Sequence, residues 1–80
     1  MRIAFFSTKP YDRIWFEPMA KDYGYEIYFI ELPFSEETMF LAKGYDAACI
    51  FVNDHVNSKM IDYLYENKVK ALLLRSAGYN

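Results

Sequence analysis

Eighty residues, 54% of them hydrophobic and 20% aromatic, make one small globular domain and exclude a disordered segment. A formal net charge of −2 with dispersed lysines leaves no basic face, so neither a nucleic acid nor an anionic membrane is indicated as a partner. The uncharged runs fall well short of the roughly 20 residues that a membrane-spanning helix needs.

Met1-Arg-Ile leads straight into a strand-like segment, without the apolar stretch and small-residue cleavage site of a secretory signal. Cys49 is the single cysteine and has no internal disulfide partner. Both features predict a reducing compartment, the cytoplasm.

Arg2 to Ser7 reads as a first buried strand, and Thr8 to Asp12 as its connecting loop. From Tyr11 to Tyr23, the spacing of Ile14, Trp15, Met19 and Tyr23 places them on one side of a helix. Pro18 predicts a kink or a short opening turn there, because proline removes a backbone bond and crowds the carbonyl of Ile14. Gly24 is the expected stop. Tyr25 to Glu31, rich in aromatic and β-branched residues, reads as a second strand at the sheet edge, where Glu26 can reach water. Ser35 is placed to cap a short second helix, with Glu36 and Glu37 in its first turn and Lys43-Gly44 closing it.

Ala47 to Val52 is the third strand, and a polar loop follows to Asn57. Asn57 or Ser58 would cap a third helix running to about Asn67, with Met60, Ile61, Leu64 and Tyr65 at core spacing. The last stretch, Ala71 to Asn80, opens with an apolar run that reads as a strand buried on both sides and ends at the small-residue turn Ser76-Ala77-Gly78.

Strands alternating with helices predict an α/β domain of the flavodoxin-like, three-layer α/β/α type, with a four-stranded parallel sheet of order 2-1-3-4. Such folds usually continue past the fourth strand, so the chain reads as truncated. An uncovered fourth strand would then favour self-association, as a dimer, through Leu72, Leu73 and Leu74. In sheets of this kind ligands bind beyond the carboxyl ends of the strands, which makes Ser76-Ala77-Gly78 the candidate site. On its own, a glycine turn after a strand is commonplace. His55 beside Asp54 has no nucleophile or metal-spaced partner and reads as a solvated surface residue. Cys49, buried without a cationic neighbour, reads as an inert core thiol.

Four segments in order, Ser7-Thr-Lys-Pro-Tyr-Asp12, Ala42-Lys-Gly-Tyr-Asp46, Cys49-Ile-Phe-Val-Asn-Asp54 and Leu74-Arg-Ser-Ala-Gly-Tyr-Asn80, carry a resemblance over the whole chain. With them the sequence resembles the amino-terminal part of the D-isomer-specific 2-hydroxyacid dehydrogenases, the D-lactate dehydrogenases among them. The resemblance implies an enzyme that uses NAD to interconvert D-lactate, or a similar D-2-hydroxy acid, and its 2-keto acid. It implies that residues 1–80 are the amino-terminal part of the substrate domain, with the Rossmann cofactor domain and the family's catalytic arginine, glutamate and histidine downstream. The chain alone is then expected to be inactive and to bind no cofactor. Arg75 belongs to the family's Arg-x-x-Gly segment and is not the catalytic arginine. Two roles carry over: backbone N–H groups at Ala77-Gly78 would hold the substrate carboxylate, and Phe51 would pack near the substrate's side chain.

The other class of reading is a stand-alone flavodoxin-like binding or signalling module. Against it, Ser7-Thr-Lys-Pro10 has the hydroxyls but not the glycine of a flavin-phosphate loop, and only Asp54 is acidic where a phosphoacceptor would need several carboxylates.

Overall fold

The structure, a computed structural model, describes residues 1–51 and 54–75. Four parallel strands, β1 (Arg2–Phe5), β2 (Glu26–Phe29), β3 (Ala47–Phe51) and β4 (Ala71–Arg75), form one sheet of order β2-β1-β3-β4. This is the predicted topology. Helix α1 (Pro10–Tyr23) lies on one face of the sheet, while helix α2 (Ser58–Glu66) and a 3-10 turn at Met39–Ala42 lie on the other.

The two-residue repeat of the strands explains the two layers of core. Ala4, Phe6, Ala48 and Ile50 point to the α2 side and pack with Phe34, Met60 and Leu64. Ile3, Phe5, Ala47 and Cys49 point to the α1 side and meet Phe16, Ile27 and Phe29. Fully buried side chains such as Phe6, Phe34, Ile50 and Met60 each contribute about 1.5–3 kcal/mol of burial free energy. The α1 side is the thinner layer. It retains an apolar cavity of about 170 Å³ beneath α1, lined by Phe16, Met19, Cys49 and Leu73 among others.

Both α-helices stop at Schellman turns. Tyr25 donates to the Ala20 carbonyl at 2.8 Å around Gly24 at φ +73°, and Val69 donates to the Leu64 carbonyl at 2.9 Å around Lys68 at φ +62°. Asn57 is the α2 cap, its Oδ1 accepting from the Met60 N–H at 2.9 Å. Glu36 Oε2 in turn accepts from Asn57 Nδ2 at 2.7 Å and so orients the cap.

Five sequence expectations are corrected. The stripe Ile14, Trp15, Met19 and Tyr23 is exposed. The face of α1 that meets the sheet is Asp12, Phe16 and Ala20, four residues apart, with Phe16 against the Phe5 ring and Asp12 paired with Arg75. Helix α1 is continuous through Pro18. The second helix is only the 3-10 turn, since the Thr38 hydroxyl accepts from the Ser35 N–H at 2.9 Å and donates to the Pro33 carbonyl at 2.7 Å, competing with an α-helical start. Strand β4 is not buried on both sides, because β3 is its one partner among the described residues and Leu73 and Leu74 are exposed. On α2, Met60 and Leu64 are core, whereas Ile61 and Tyr65 face outwards.

Candidate functional site

The carboxyl ends of β1, β3 and β4 converge on Ser7, Phe51, Asp54 and Arg75. The chain leaves β1 through Ser7, which is buried and holds a left-handed φ of +53°. A non-glycine residue adopts that conformation only where its surroundings over-determine it. Here they do. The Ser7 N–H donates to the Leu32 carbonyl at 2.9 Å, and its hydroxyl reaches both oxygens of Asp54, at 3.0 and 3.1 Å. Asp54 also accepts from the backbone N–H groups of Phe51 at 3.1 Å and Phe34 at 3.3 Å, fixing the exit from β3 against the exit from β2.

On the α1 side of the same end lies a buried ion pair. Asp12 accepts from the Lys9 N–H at 2.8 Å, closing the first turn of α1, and its Oδ2 stands 3.4 Å from Nη2 of Arg75. The same Arg75 nitrogen donates to the Ser7 carbonyl at 2.6 Å. The guanidinium lies 4.2 Å from the Phe5 ring centre and 5.6 Å from that of Phe51, and the two charged side chains are only 12% and 7% exposed. Register explains the meeting, because Phe51 pairs with Arg75 across β3 and β4 and both point to the α1 side. Removing either charge would leave the other buried without a partner, at a cost of about 3–5 kcal/mol.

Phe51 is half-buried at the end of β3, where a ring can contribute to a crevice wall and still contact the core. Ala77 and Gly78, with Ser76, lie outside the described residues. His55 is exposed, in keeping with a surface role. Cys49 is buried, and burial pushes its thiol up from the ordinary range. It does have a cationic neighbour, contrary to the sequence reading: Arg75 Nη1 lies 3.9 Å from the sulfur and lowers the pKa, but burial outweighs it. Among the described residues no cluster of histidine, cysteine, aspartate and glutamate is arranged to hold a metal ion.

Sequence reasoning missed Asp12, which it left in a loop, and the joint role of Ser7, Asp54 and Arg75. The proline at the first helical position with an acid two residues on was a legible signal for a helix start. The pairing of Asp12 with an arginine 63 positions away was not.

The profile of the D-isomer specific 2-hydroxyacid dehydrogenase catalytic domain matches residues 3–80. The chain belongs to this family. Its relatives include 2-hydroxyacid dehydrogenase A of Aspergillus oryzae, 40% identical over the whole chain and 24% of the relative's length. In structure it is similar to the apo form of D-lactate dehydrogenase from Escherichia coli, with a TM-score of 0.89 and 36% identity over 100% of this chain and 25% of that one. The NAD complex of the D-isomer specific 2-hydroxyacid dehydrogenase from Lactobacillus delbrueckii ssp. bulgaricus superposes with a TM-score of 0.84 at 26% identity, again over 100% of this chain and 25% of that one. The chain thus spans about a quarter of the length of the dehydrogenases it matches.

Proposed function

We propose that residues 1–80 form the amino-terminal part of the substrate domain of an NAD-dependent dehydrogenase, one that interconverts D-lactate or a similar D-2-hydroxy acid and its 2-keto acid. The observation that carries this reading is the family match over residues 3–80. In this reading the substrate sits beyond the carboxyl ends of β3 and β4. The Ala77-Gly78 backbone would hold its carboxylate, since two adjacent N–H donors free of bulky side chains can face one anion. Phe51 would bound the space for its side chain.

NAD does not fit this chain. Its three glycines, at 24, 44 and 78, make no Gly-x-Gly-x-x-Gly loop, and the two described ones are turn residues at φ +73° and +90°. The groups that bind the cofactor and perform hydride transfer therefore belong, in this proposal, to another domain of the parent enzyme, and the part described here binds and orients substrate. The cytoplasm remains the proposed compartment, supported by the single free thiol.

One observation weakens the reading as a stand-alone module. The hydroxyls that a phosphate loop after β1 would present are turned inwards, that of Ser7 to Asp54 and that of Thr8 to the Phe5 carbonyl at 2.8 Å. Asp54 is itself occupied by three internal donors.

A chimera provides the test. Residues 1–80 are exchanged for the matching segment of the Escherichia coli D-lactate dehydrogenase, to which they align over 80 residues. The chimera is expected to reduce pyruvate with NADH. A folded chimera that binds NADH but reduces no 2-keto acid would overturn the proposal.

A further inference from the structure

Close-packed interiors hold few voids larger than a water molecule, and an empty one costs a small domain a large share of its stability. The recess beneath α1, at about 170 Å³, is well above that size. Helix α1 roofs it with Phe16, Met19 and Ala20, and every strand contributes to its floor, through Phe5, Ile27, Cys49 and Leu73. Its walls are wholly apolar. A water finds no polar partner there, and a carboxylate entering the space would lose its hydration without gaining a donor. Neither solvent nor a 2-keto acid suits it.

The size and chemistry of the space match one class of ligand. A cavity of about 150 Å³ walled by aliphatic and aromatic side chains stays dry and takes up benzene or xenon. Met19 and Leu73 line the recess and are also exposed, so its mouth lies between them, and the unbranched, flexible Met19 can move aside to admit a ligand. None of Ser7, Asp12, Phe51, Asp54 and Arg75 lines it. We infer that the recess beneath α1 is a binding site for a small uncharged apolar molecule of about benzene's size, separate from the crevice at the carboxyl ends of the strands. Neither the substrate nor the cofactor of the parent enzyme enters it.

The test uses the full-length enzyme, as wild type and as Ala20→Leu, with xenon and benzene as probes. Leucine at position 20 extends a side chain from the roof into the space. In xenon-pressurised crystals of the wild type, one xenon atom is expected between α1 and the sheet, against Phe16 and Cys49. Absence of xenon there, or a side chain from elsewhere in the enzyme filling the recess, would overturn the inference. In solution, benzene should raise the melting temperature of the wild type by a few degrees, because a ligand that binds only the folded state stabilises it. Phenol should raise it less, since its hydroxyl would be buried without a partner. The benzene shift should be lost in Ala20→Leu. A shift that persists in Ala20→Leu would place benzene elsewhere, and a phenol shift equal to that of benzene would deny the apolar selectivity; either contradicts the assignment. Should Ala20→Leu fail to fold, the xenon position in the wild type still decides the matter.

Discussion

Phe51 stands where β3 ends, half-buried, with its ring facing the Arg75 guanidinium. If it bounds the substrate's side chain, Phe51→Ala in the full-length enzyme should raise activity on a branched 2-keto acid relative to pyruvate. Discrimination in hydrophobic pockets is worth about 1–3 kcal/mol per methylene-scale change, so a shift of roughly tenfold in the ratio of kcat/KM is expected. Steady-state kinetics on both substrates provide the check, and an unchanged ratio would return Phe51 to core packing. Cys49 carries a prediction about pH. Burial raises its thiol pKa and Arg75 only partly offsets this, so the unfolded chain ionises at lower pH than the folded one. The contribution to stability is full below the ordinary thiol pKa and is lost as pH rises through the folded value. Chemical denaturation between neutral and alkaline pH should show this loss, and Cys49→Ala should flatten that part of the curve.

At the scale of elements, the strands were the most legible features. Their apolar runs and bounding turns identify all four, because a buried strand has few other ways to be written. Helix faces were less legible. The stripe Ile14, Trp15, Met19 and Tyr23 is a convincing periodic pattern, yet it points to solvent, while Asp12, Phe16 and Ala20 meet the sheet. Periodicity finds an apolar face but not which face is buried, and the buried face here is made by tertiary partners, Phe5 for Phe16 and Arg75 for Asp12. The short segment from Ser35 to Lys43 was misread as an α-helix because serine and threonine hydrogen bonds to nearby backbone are invisible in a hydropathy pattern. Strand β4 carries a prediction of its own. Leu74 is 67% exposed on a strand whose outer edge has no partner among the described residues. The 80-residue chain should therefore self-associate, and Leu74→Lys should shift it towards monomer by placing a charge at that edge. Sedimentation velocity at high concentration checks both, and a monomeric parent chain would contradict the expectation.

For the whole molecule, the α/β class and strand order were legible because alternation of strand and helix leaves few topologies once crossovers are right-handed. The site was legible only in part. The end of the sheet at which a ligand should bind follows from topology, but Ser7, Asp12, Asp54 and Arg75 come together from three strand ends and a helix start, through contacts of 47 and 63 residues' separation. If these 80 residues are the substrate side alone, the isolated chain should show no heat of binding with NADH and no reduction of pyruvate. Measurable turnover by the isolated chain would contradict that division of labour. The central claim, that this fold presents a small 2-keto acid for stereospecific reduction in an NAD-dependent D-2-hydroxyacid dehydrogenase, is tested most directly by chiral analysis of the product formed from pyruvate and NADH by the full-length enzyme. D-lactate is the predicted product, and either L-lactate or the absence of turnover on any small 2-keto acid would contradict the account.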